Sequence, residues 1–307
     1  MKRNATVFIL LGQSNAVGHN LPMNEKDIIS EPLTHVFGLS REKNQRLDPD
    51  KLTFSGYTSS GMNLAETQDD TYSLANCLAM KWEAAAREDS SLPDLYIVHI
   101  AVGAQGVGRE YMWNPDYPLM LIPGPLGTVR ISLFPYTERI LSLIKPYFEE
   151  RGVSYDFLGL HWRGGENDTG NGMPEEIIPQ IKPIYRQLFD MFARSLGEMP
   201  PTVLYEIEYG MKNSQRTDGV NVGNMMCTAA ATNEMFREFA RESAEITTFD
   251  PFSLTLYNKD EPLTWNIFKE DDGVHYTAEA NAEIASNLMK QAMKKRHSES
   301  DKAVSGK

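Results

Sequence analysis

The sequence predicts an α/β fold built around a mainly parallel β-sheet. Short apolar runs alternate with longer amphipathic segments along most of the chain, which is the pattern of α/β proteins. Of the 307 residues, 41% are hydrophobic, which is enough for a large buried core. The sequence contains no internal repeat and no low-complexity tract. These observations favour one or two globular units over a disordered or repetitive chain.

The predicted strands and helices alternate in chain order. Each predicted strand is a short, mostly apolar run, and each predicted helix carries apolar residues at helical spacing, the second one despite Pro146. The predicted strands are residues 6–11, 95–102, 155–162, 202–208 and 246–250. The predicted helices are residues 71–87, 136–150, 175–196, 228–243 and 277–294.

Two long connections and the chain end interrupt this alternation. Residues 19–70 read as a polar, turn-rich connection, and residues 103–131 as a loop with four prolines, five glycines and Trp113. Loops of this length in a compact domain more often have a function than not, because ordering them costs conformational entropy. Residues 295–307 are charged, small and polar, and they predict a disordered tail.

Charge and composition exclude several classes of protein. The formal net charge is −12, and a surface this acidic repels nucleic-acid phosphates and anionic membranes. The longest apolar run, residues 7–11, is far shorter than the roughly 20 residues of a transmembrane helix. No signal-peptide cleavage site follows it, which leaves a cytoplasmic protein or a mature secreted form. Cys77 and Cys227 form no zinc motif, and a disulfide between them stays open.

A serine follows the first predicted strand in the segment Gly12-Gln13-Ser14-Asn15. Ligands of open α/β sheets bind at the carboxyl ends of the strands, and backbone N–H groups at the start of the following helix point towards a ligand bound there. Ser14 is therefore a candidate nucleophile beside an oxyanion site. The alternative is that Ser14 only caps the helix. The G-x-S-x-G elbow of the α/β-hydrolases is absent, because position 16 is alanine.

A carboxylate and a histidine precede the last predicted helix in the segment Asp272-Gly273-Val274-His275. Asp272 can accept the Nδ1–H of His275 and leave Nε2 free as a base, which an unactivated serine needs. Alternatively, Asp272 caps the helix and His275 is an ordinary surface residue. His99 and His161 lie within predicted strands and are expected to be core residues.

Two further strand ends offer hydrogen-bond donors. Asn167 lies in a glycine-rich turn after the third predicted strand, where its amide can donate to a developing negative charge. One such donor contributes about 3 kcal/mol to the stability of a transition state. The alternative is an ordinary turn in which Asn167 supplies an unusual φ. Gly103 follows the second predicted strand and offers a backbone N–H.

Serine, glycine, asparagine and histidine at the ends of successive strands resemble the block pattern of the SGNH (GDSL-type) hydrolases. Residues 12–15 (GQSN) resemble the first block of the branch with sialate O-acetylesterases and acetylxylan esterases. Residues 165–168 (GEND) and 272–275 (DGVH) resemble the third and last blocks. The resemblance implies a three-layer α/β/α sandwich with a flavodoxin-like sheet, no metal and no organic cofactor. It also implies hydrolysis of O-acyl esters, commonly O-acetyl groups on carbohydrates.

The resemblance also implies roles for single residues. The catalytic residues would be the nucleophile Ser14, the base His275 and its orienting partner Asp272. The oxyanion hole would consist of the N–H groups of Ser14 and Gly103 and the side chain of Asn167. One position departs from the branch, whose third block carries a glutamine donor where this chain has Gly164. The candidate substrate contacts are Gln13, Arg163, Glu166 and Trp113, with Arg163 either binding the carboxylate of an acidic sugar or pairing with the protein's own carboxylates.

The order of the blocks bears on domains and function. Because the nucleophile lies near the start and its base near the end, residues 1–294 are expected to form a single domain with long insertions at about 19–70 and 103–131. The expected function is a serine esterase that removes O-acyl, above all O-acetyl, groups from a carbohydrate through an acyl-enzyme. Its partner is then a small-molecule or glycan ester, not nucleic acid or a membrane. The alternatives are an inactive carbohydrate-binding protein of the same fold and an esterase or thioesterase for another short-acyl substrate.

Overall fold

The computed structural model describes residues 4–44, 50–65, 68–117, 120–124, 127–215 and 221–305. Side chains are described within these ranges except at 120–131, 214–215 and 295–305. None of the described helices is both long and apolar enough to cross a membrane.

Strands and helices alternate through most of the described chain. The strands are β1 (Ala5–Gly12), β2 (Val36–Leu39), β3 (Phe54–Gly56), β4 (Asp94–Ala101), β5 (Met120–Gly124), β6 (Gly127–Ile131), β7 (Tyr155–Arg163), β8 (Thr202–Tyr205) and β9 (Ile246–Phe249). The helices are α1 (Ser14–Val17), α2 (Arg41–Asn44), α3 (Leu74–Glu88), α4 (Leu133–Ser142), α5 (Ile144–Arg151), α6 (Glu166–Thr169), α7 (Pro174–Leu196), α8 (Val222–Glu242) and α9 (Ala278–Ser305). Short 3₁₀ segments occupy Glu25–Asp27, Met211–Gln215 and Pro251–Ser253.

Seven of these strands form one sheet in the order β3-β2-β4-β1-β7-β8-β9. Neighbouring strands pair in parallel, except that β3 runs antiparallel to β2. Strands β5 and β6 form a separate antiparallel hairpin. A mainly parallel sheet of this kind is buried on both faces, which agrees with the uninterrupted burial of β1.

Two hydrophobic clusters cover the two faces of the sheet. Val7, Ile9 and Leu11 of β1 pack with apolar residues of α4, α7 and α8. Phe8 and Leu10 point to the opposite face and pack with residues of α1, α3 and α9. This alternation follows from the two-residue period of a strand. The structure therefore has three layers, α/β/α, and the fold class predicted from the sequence is confirmed.

The central strands end at one level, which brings their following loops together. Gly12, the last residue of β1, pairs with Ala101 at the end of β4 and with Arg163 at the end of β7. Gly12 has a φ of +136°, and a Cβ atom there would lie 2.0 Å from the Arg163 carbonyl oxygen. Only glycine fits this approach of the two strands.

The main differences from the predicted elements lie in the long connections. The interpretation of residues 19–70 as a connection without strands is wrong, because β2 and β3 lie within it and extend the sheet. Residues 103–131, predicted as one loop, contain the β5–β6 hairpin. The predicted helix 136–150 is two helices that part at Leu143. Pro146 then falls in the first turn of α5, where its missing N–H costs no helical hydrogen bond.

Three further predictions concern cysteines, domain and tail. Cys77 is buried on α3 and Cys227 is exposed on α8, and both are free thiols, so they do not pair. The single domain at 1–294 stays a prediction. Residues 295–305 of the predicted tail are the last part of α9, without described side chains, and residues 306–307 lie outside the described residues.

Candidate active site

An open cavity of about 790 Å³ lies at the carboxyl ends of the central strands. Loops that follow β1, β4, β7 and β8 line it, together with the segment that precedes α9. Its lining includes all five residues that the sequence predicts for the catalytic centre: Ser14, Gly103, Asn167, Asp272 and His275. A cavity at this edge of a parallel sheet is where α/β folds place their ligands.

The nucleophile segment continues directly from β1 and is nearly buried. Ser14 is 7% exposed and is the first residue of α1, whose N-cap is Gln13, so the alternative of Ser14 as a helix cap is wrong. The side-chain amides of Gln13 and Asn15 both donate to the carboxylate of Glu166, Asn15 Nδ2 at 2.7 Å from Oε1. Glu166 thereby fixes the residues on both sides of Ser14.

The base segment is a tight turn closed by Asp272. The His275 ring donates its Nδ1–H to Asp272 Oδ2 over 2.6 Å, and Asp272 Oδ1 accepts from the N–H groups of Val274 (2.8 Å) and His275 (3.0 Å). Gly273 permits the turn with a φ of +67°. Helix α9 begins at Ala278, where the Thr277 hydroxyl accepts the N–H of Ala280, so Asp272 is not its cap.

Asp272 is held in its ionised form. Burial alone would raise the pKa of this carboxyl, but hydrogen bonds from the ring and N–H of His275 and from Val274 N–H outweigh burial and lower the pKa to about 2. A carboxylate that stays charged orients the imidazole and stabilises an imidazolium when one forms.

Asn15 joins the nucleophile segment to the base segment. Its Oδ1 accepts the N–H of Tyr276 at 3.0 Å, and its Nδ2 donates to the carbonyl of Val274 at 3.2 Å, a residue 259 positions away in the chain. Residues on both sides of His275 are thus bound to the residue that follows Ser14. Sequence reasoning missed this role, although the asparagine of the GQSN segment was the available signal.

Asn167 also lines the cavity and lies in the short helix α6, which follows β7. The alternative in which Asn167 supplies an unusual φ is wrong, because the positive φ belongs to the preceding Gly165, at +120°. The Tyr111 hydroxyl donates to the Asn167 backbone carbonyl over 3.4 Å, so the two residues lie side by side in the cavity lining.

Asp168 fixes the loop that carries Gly103. Its carboxylate is 1% exposed and accepts the N–H groups of Val107 (3.0 Å) and Gly108 (2.8 Å). Burial raises the pKa of Asp168 to about 7, although these two N–H groups lower it. In the same loop, Ala104 has a φ of +58°, which is costly for a residue with a Cβ atom and is typical of functional sites. The prediction from sequence gave Asp168 no role.

Two predicted substrate contacts do not reach the cavity. Arg163 is 1% exposed, and Trp113 is fully buried. Arg163 Nη1 donates to Asn281 Oδ1 over 2.7 Å, and Trp113 Nε1 donates to the Gly12 carbonyl over 3.1 Å. Both side chains belong to the protein interior, so their prediction as substrate contacts is wrong. The alternative, in which Arg163 pairs with one of the protein's own carboxylates, is also wrong for the described residues, because none of their carboxylates pairs with it.

Gln13 and Glu166 do line the cavity, and their contact with a substrate stays a prediction. His99 and His161 are buried, as expected from their strands, and burial lowers the pKa of each imidazole to about 3. His19, which the sequence analysis did not single out, also lines the cavity, with its ring centre 5.2 Å from that of His275.

Comparison with known proteins shows the fold. No protein-family model and no curated protein matches the sequence. Among solved structures, that of NanS is similar with a TM-score of 0.57 and 13% identity, over 97% of this chain and 99% of that one. Another similar structure is Est24, a carbohydrate acetylesterase from Sinorhizobium meliloti, with a TM-score of 0.44 and 13% identity, over 94% and 99% of the two chains. Because the identity to NanS is low, this likeness shows the fold alone, and it is the α/β/α fold predicted from the sequence.

Proposed function

We propose that this protein is a serine esterase that removes O-acyl groups, above all O-acetyl groups, from a carbohydrate. The observation that carries the proposal is the Asp272–His275 hydrogen bond of 2.6 Å in the cavity that Ser14 also lines. With Nδ1–H donated to a carboxylate, Nε2 is the basic nitrogen of the imidazole. Serine, imidazole and carboxylate in one cavity are the groups that acyl transfer requires.

The reaction proceeds in two steps with an acyl-enzyme between them. Ser14 Oγ attacks the ester carbonyl carbon while its proton moves to His275 Nε2, and the carbonyl oxygen becomes an oxyanion. The N–H groups of Ser14 and Gly103 and the amide of Asn167 stabilise this oxyanion. The bond to the sugar oxygen then breaks, and this oxygen takes the proton from His275.

Water completes the cycle. It attacks the acyl-Ser14 carbonyl and gives a proton to His275, and the second oxyanion collapses with release of the carboxylic acid. Ser14 Oγ recovers its proton from His275, so both residues return to their starting state. Asn167 takes the place of the glutamine donor that Gly164 replaces.

The polar groups on the cavity wall support a carbohydrate as the substrate. Asn171 and Lys212 line the cavity and offer an amide oxygen and an ammonium group to sugar hydroxyl groups, whereas the Tyr111 and Tyr209 hydroxyls are bonded to neighbouring protein groups. In the alternative of an inactive carbohydrate-binding protein, Ser14 and the hydrogen-bonded pair Asp272–His275 would lie in the cavity without a use. The serine esterase is therefore the function we propose.

The proposal is tested with purified protein and p-nitrophenyl acetate. The wild type is expected to hydrolyse this ester, and Ser14→Ala to lose about 10³-fold or more of kcat, as triad variants do. Ser286→Ala, on α9 and outside the cavity, is the matched control and should keep wild-type activity. Equal turnover by wild type and Ser14→Ala would refute the proposal. Acetate release from a set of O-acetylated glycans then identifies the sugar.

A further inference from the structure

Arg163 is a buried cation without a carboxylate partner in the described part of the chain. It is 1% exposed and ends β7, immediately before the segment with Glu166 and Asn167. One nitrogen, Nη1, donates to Asn281, whereas Nε and Nη2 are buried and make no hydrogen bond of normal geometry with the described residues. The other buried arginine of the described residues, Arg41, pairs with Asp69 over 2.6 Å. Arg163 thus lacks the compensation that buried charges usually have.

Two tyrosine rings enclose the Arg163 guanidinium instead. Its central carbon lies 4.3 Å from the ring centre of Tyr276 and 4.8 Å from that of Tyr205. Both rings are buried, and the Tyr276 hydroxyl makes no hydrogen bond of normal geometry with the described residues. A cation–π contact is stronger when the cation and the ring are removed from water, as they are here. The two ring faces and the hydrogen bond to Asn281 are the contacts that hold this charge in place.

The arginine touches both halves of the candidate catalytic centre. Its carbonyl oxygen accepts the N–H of Gln13 over 2.8 Å, next to Ser14. Its side chain packs on Tyr276, which directly follows His275 and donates its own N–H to Asn15. A displacement of the Tyr276 ring would move the backbone of His275 relative to Ser14.

We propose that Arg163 is a positioning residue that sets the place of His275 through the ring of Tyr276. The predicted effect on kcat rests on the proposed esterase function, whereas the positioning of His275 does not. It requires the planar cation and the ring face, and it does not require the Tyr276 hydroxyl.

The first test compares Arg163→Met with Trp82→Phe in p-nitrophenyl acetate hydrolysis. Trp82 is equally buried, but it contacts Pro93 at the opposite edge of the sheet. Arg163→Met is expected to lower kcat about 10- to 100-fold with little change in KM, because a base misplaced by about 1 Å costs that much. Trp82→Phe is expected to keep kcat even where its melting temperature falls. An equal loss of kcat in both variants would show a merely structural role and overturn the proposal.

The second test separates the ring face from the hydroxyl. Tyr276→Leu should lose about as much kcat as Arg163→Met, and Tyr276→Phe should restore most of it. The double variant Arg163→Met/Tyr276→Leu should have the same kcat as the less active single variant, because both substitutions remove the same contact. Additive losses, or a Tyr276→Phe variant as poor as Tyr276→Leu, would contradict the proposal. Arg163→Lys, which keeps the charge without the plane, replaces Arg163→Met if the latter does not fold.

The third test does not depend on any substrate. The His275 Nδ1 proton shared with Asp272 gives a downfield proton NMR signal, assigned by its absence in His275→Ala. We expect Arg163→Met to shift or broaden this signal and Trp82→Phe to leave it in place. If the wild type hydrolyses no ester, the proposed function fails, and this signal alone decides the positioning role. A signal unchanged in Arg163→Met would overturn that role.

Discussion

The two halves of the candidate catalytic centre are built in different ways. The nucleophile half, Gln13 to Asn15, leaves β1 directly, is at most 7% exposed, and binds Glu166 through two side-chain amides. The base half lies on a turn before α9, with the side chains of Asp272 and His275 31% and 18% exposed. The sheet thus sets the position of the serine, whereas a few polar contacts, together with the packing of Tyr276 that we propose, set that of the histidine. Substitutions in the base half should reduce activity at little cost in stability.

The largest effect in the base half is expected for Asp272→Asn. The amide cannot stabilise the imidazolium and favours the wrong tautomer, so kcat should fall about 10⁴-fold. Asp250→Asn is the matched control, because Asp250 makes a similar carboxylate cap, to Phe252 N–H over 2.8 Å, away from the cavity. The kcat values of folded Asp272→Asn and folded Asp250→Asn should therefore differ by about 10⁴-fold. A loss below about tenfold in Asp272→Asn would contradict the assigned role.

Removal of the third oxyanion donor ranks next. Asn167→Ala is expected to lower kcat about 10²- to 10³-fold with KM little changed, because the donor acts on charge that develops in the transition state. Steady-state kinetics of p-nitrophenyl acetate hydrolysis measure both constants. An unchanged kcat would assign the third donor to another group and would leave Ser14 and His275 unaffected.

Asn15 should matter more than Gln13, because the side chain of Asn15 bonds to both halves, whereas that of Gln13 bonds to Glu166. Asn15→Ala removes the hydrogen bonds to Glu166, Val274 and Tyr276, and we expect kcat to fall about 10- to 100-fold. Gln13→Ala removes the bond to Glu166 and should lower kcat less. Urea unfolding should show a loss of about 1–3 kcal/mol in either variant. The same kcat in both variants would show that the Asn15 contacts do not position the base.

The smallest effect concerns stability in acid. The pKa of Asp272 is lowered to about 2 from its ordinary value of 3.8, so the folded state binds the proton less readily than the unfolded state. This contribution to the free energy of unfolding is complete above about pH 4 and is lost as the pH falls towards 2. The difference in unfolding free energy between wild type and Asp272→Asn should therefore shrink over this range. A difference independent of pH would show that the carboxylate is not stabilised by folding.

The sequence predicted the candidate catalytic residues because parallel strands end at one edge of the sheet. Ser14, Gly103 and Asn167 each follow a central strand, and all three line one cavity with Asp272 and His275. Arg163 was misassigned because its neighbours in sequence lie in the site, whereas its own side chain lies in the interior against Tyr205 and Tyr276. The role of Asp168 could not be predicted, because the N–H groups that it accepts lie 60 and 61 residues away in the chain and no local sequence pattern indicates such contacts.

The fold was predicted best where elements are long and apolar. Strand β3 has three residues and β2 has four, too few for a clear two-residue period within a polar segment. Pro146 lies close to the break between α4 and α5, but the sequence pattern predicted one continuous helix and did not place the break at Leu143. The central strands, buried on both faces, needed no such tertiary information.

Covalent labelling of Ser14 by a fluorophosphonate tests the central claim most directly. The reagent phosphonylates serines that an adjacent base activates, and peptide mass spectrometry locates the adduct. We predict a single adduct on Ser14, formed by the native wild type and lost in His275→Ala and in protein unfolded with urea. An adduct on another residue, or labelling of Ser14 at the same rate without His275, would contradict a serine activated by the Asp272–His275 pair.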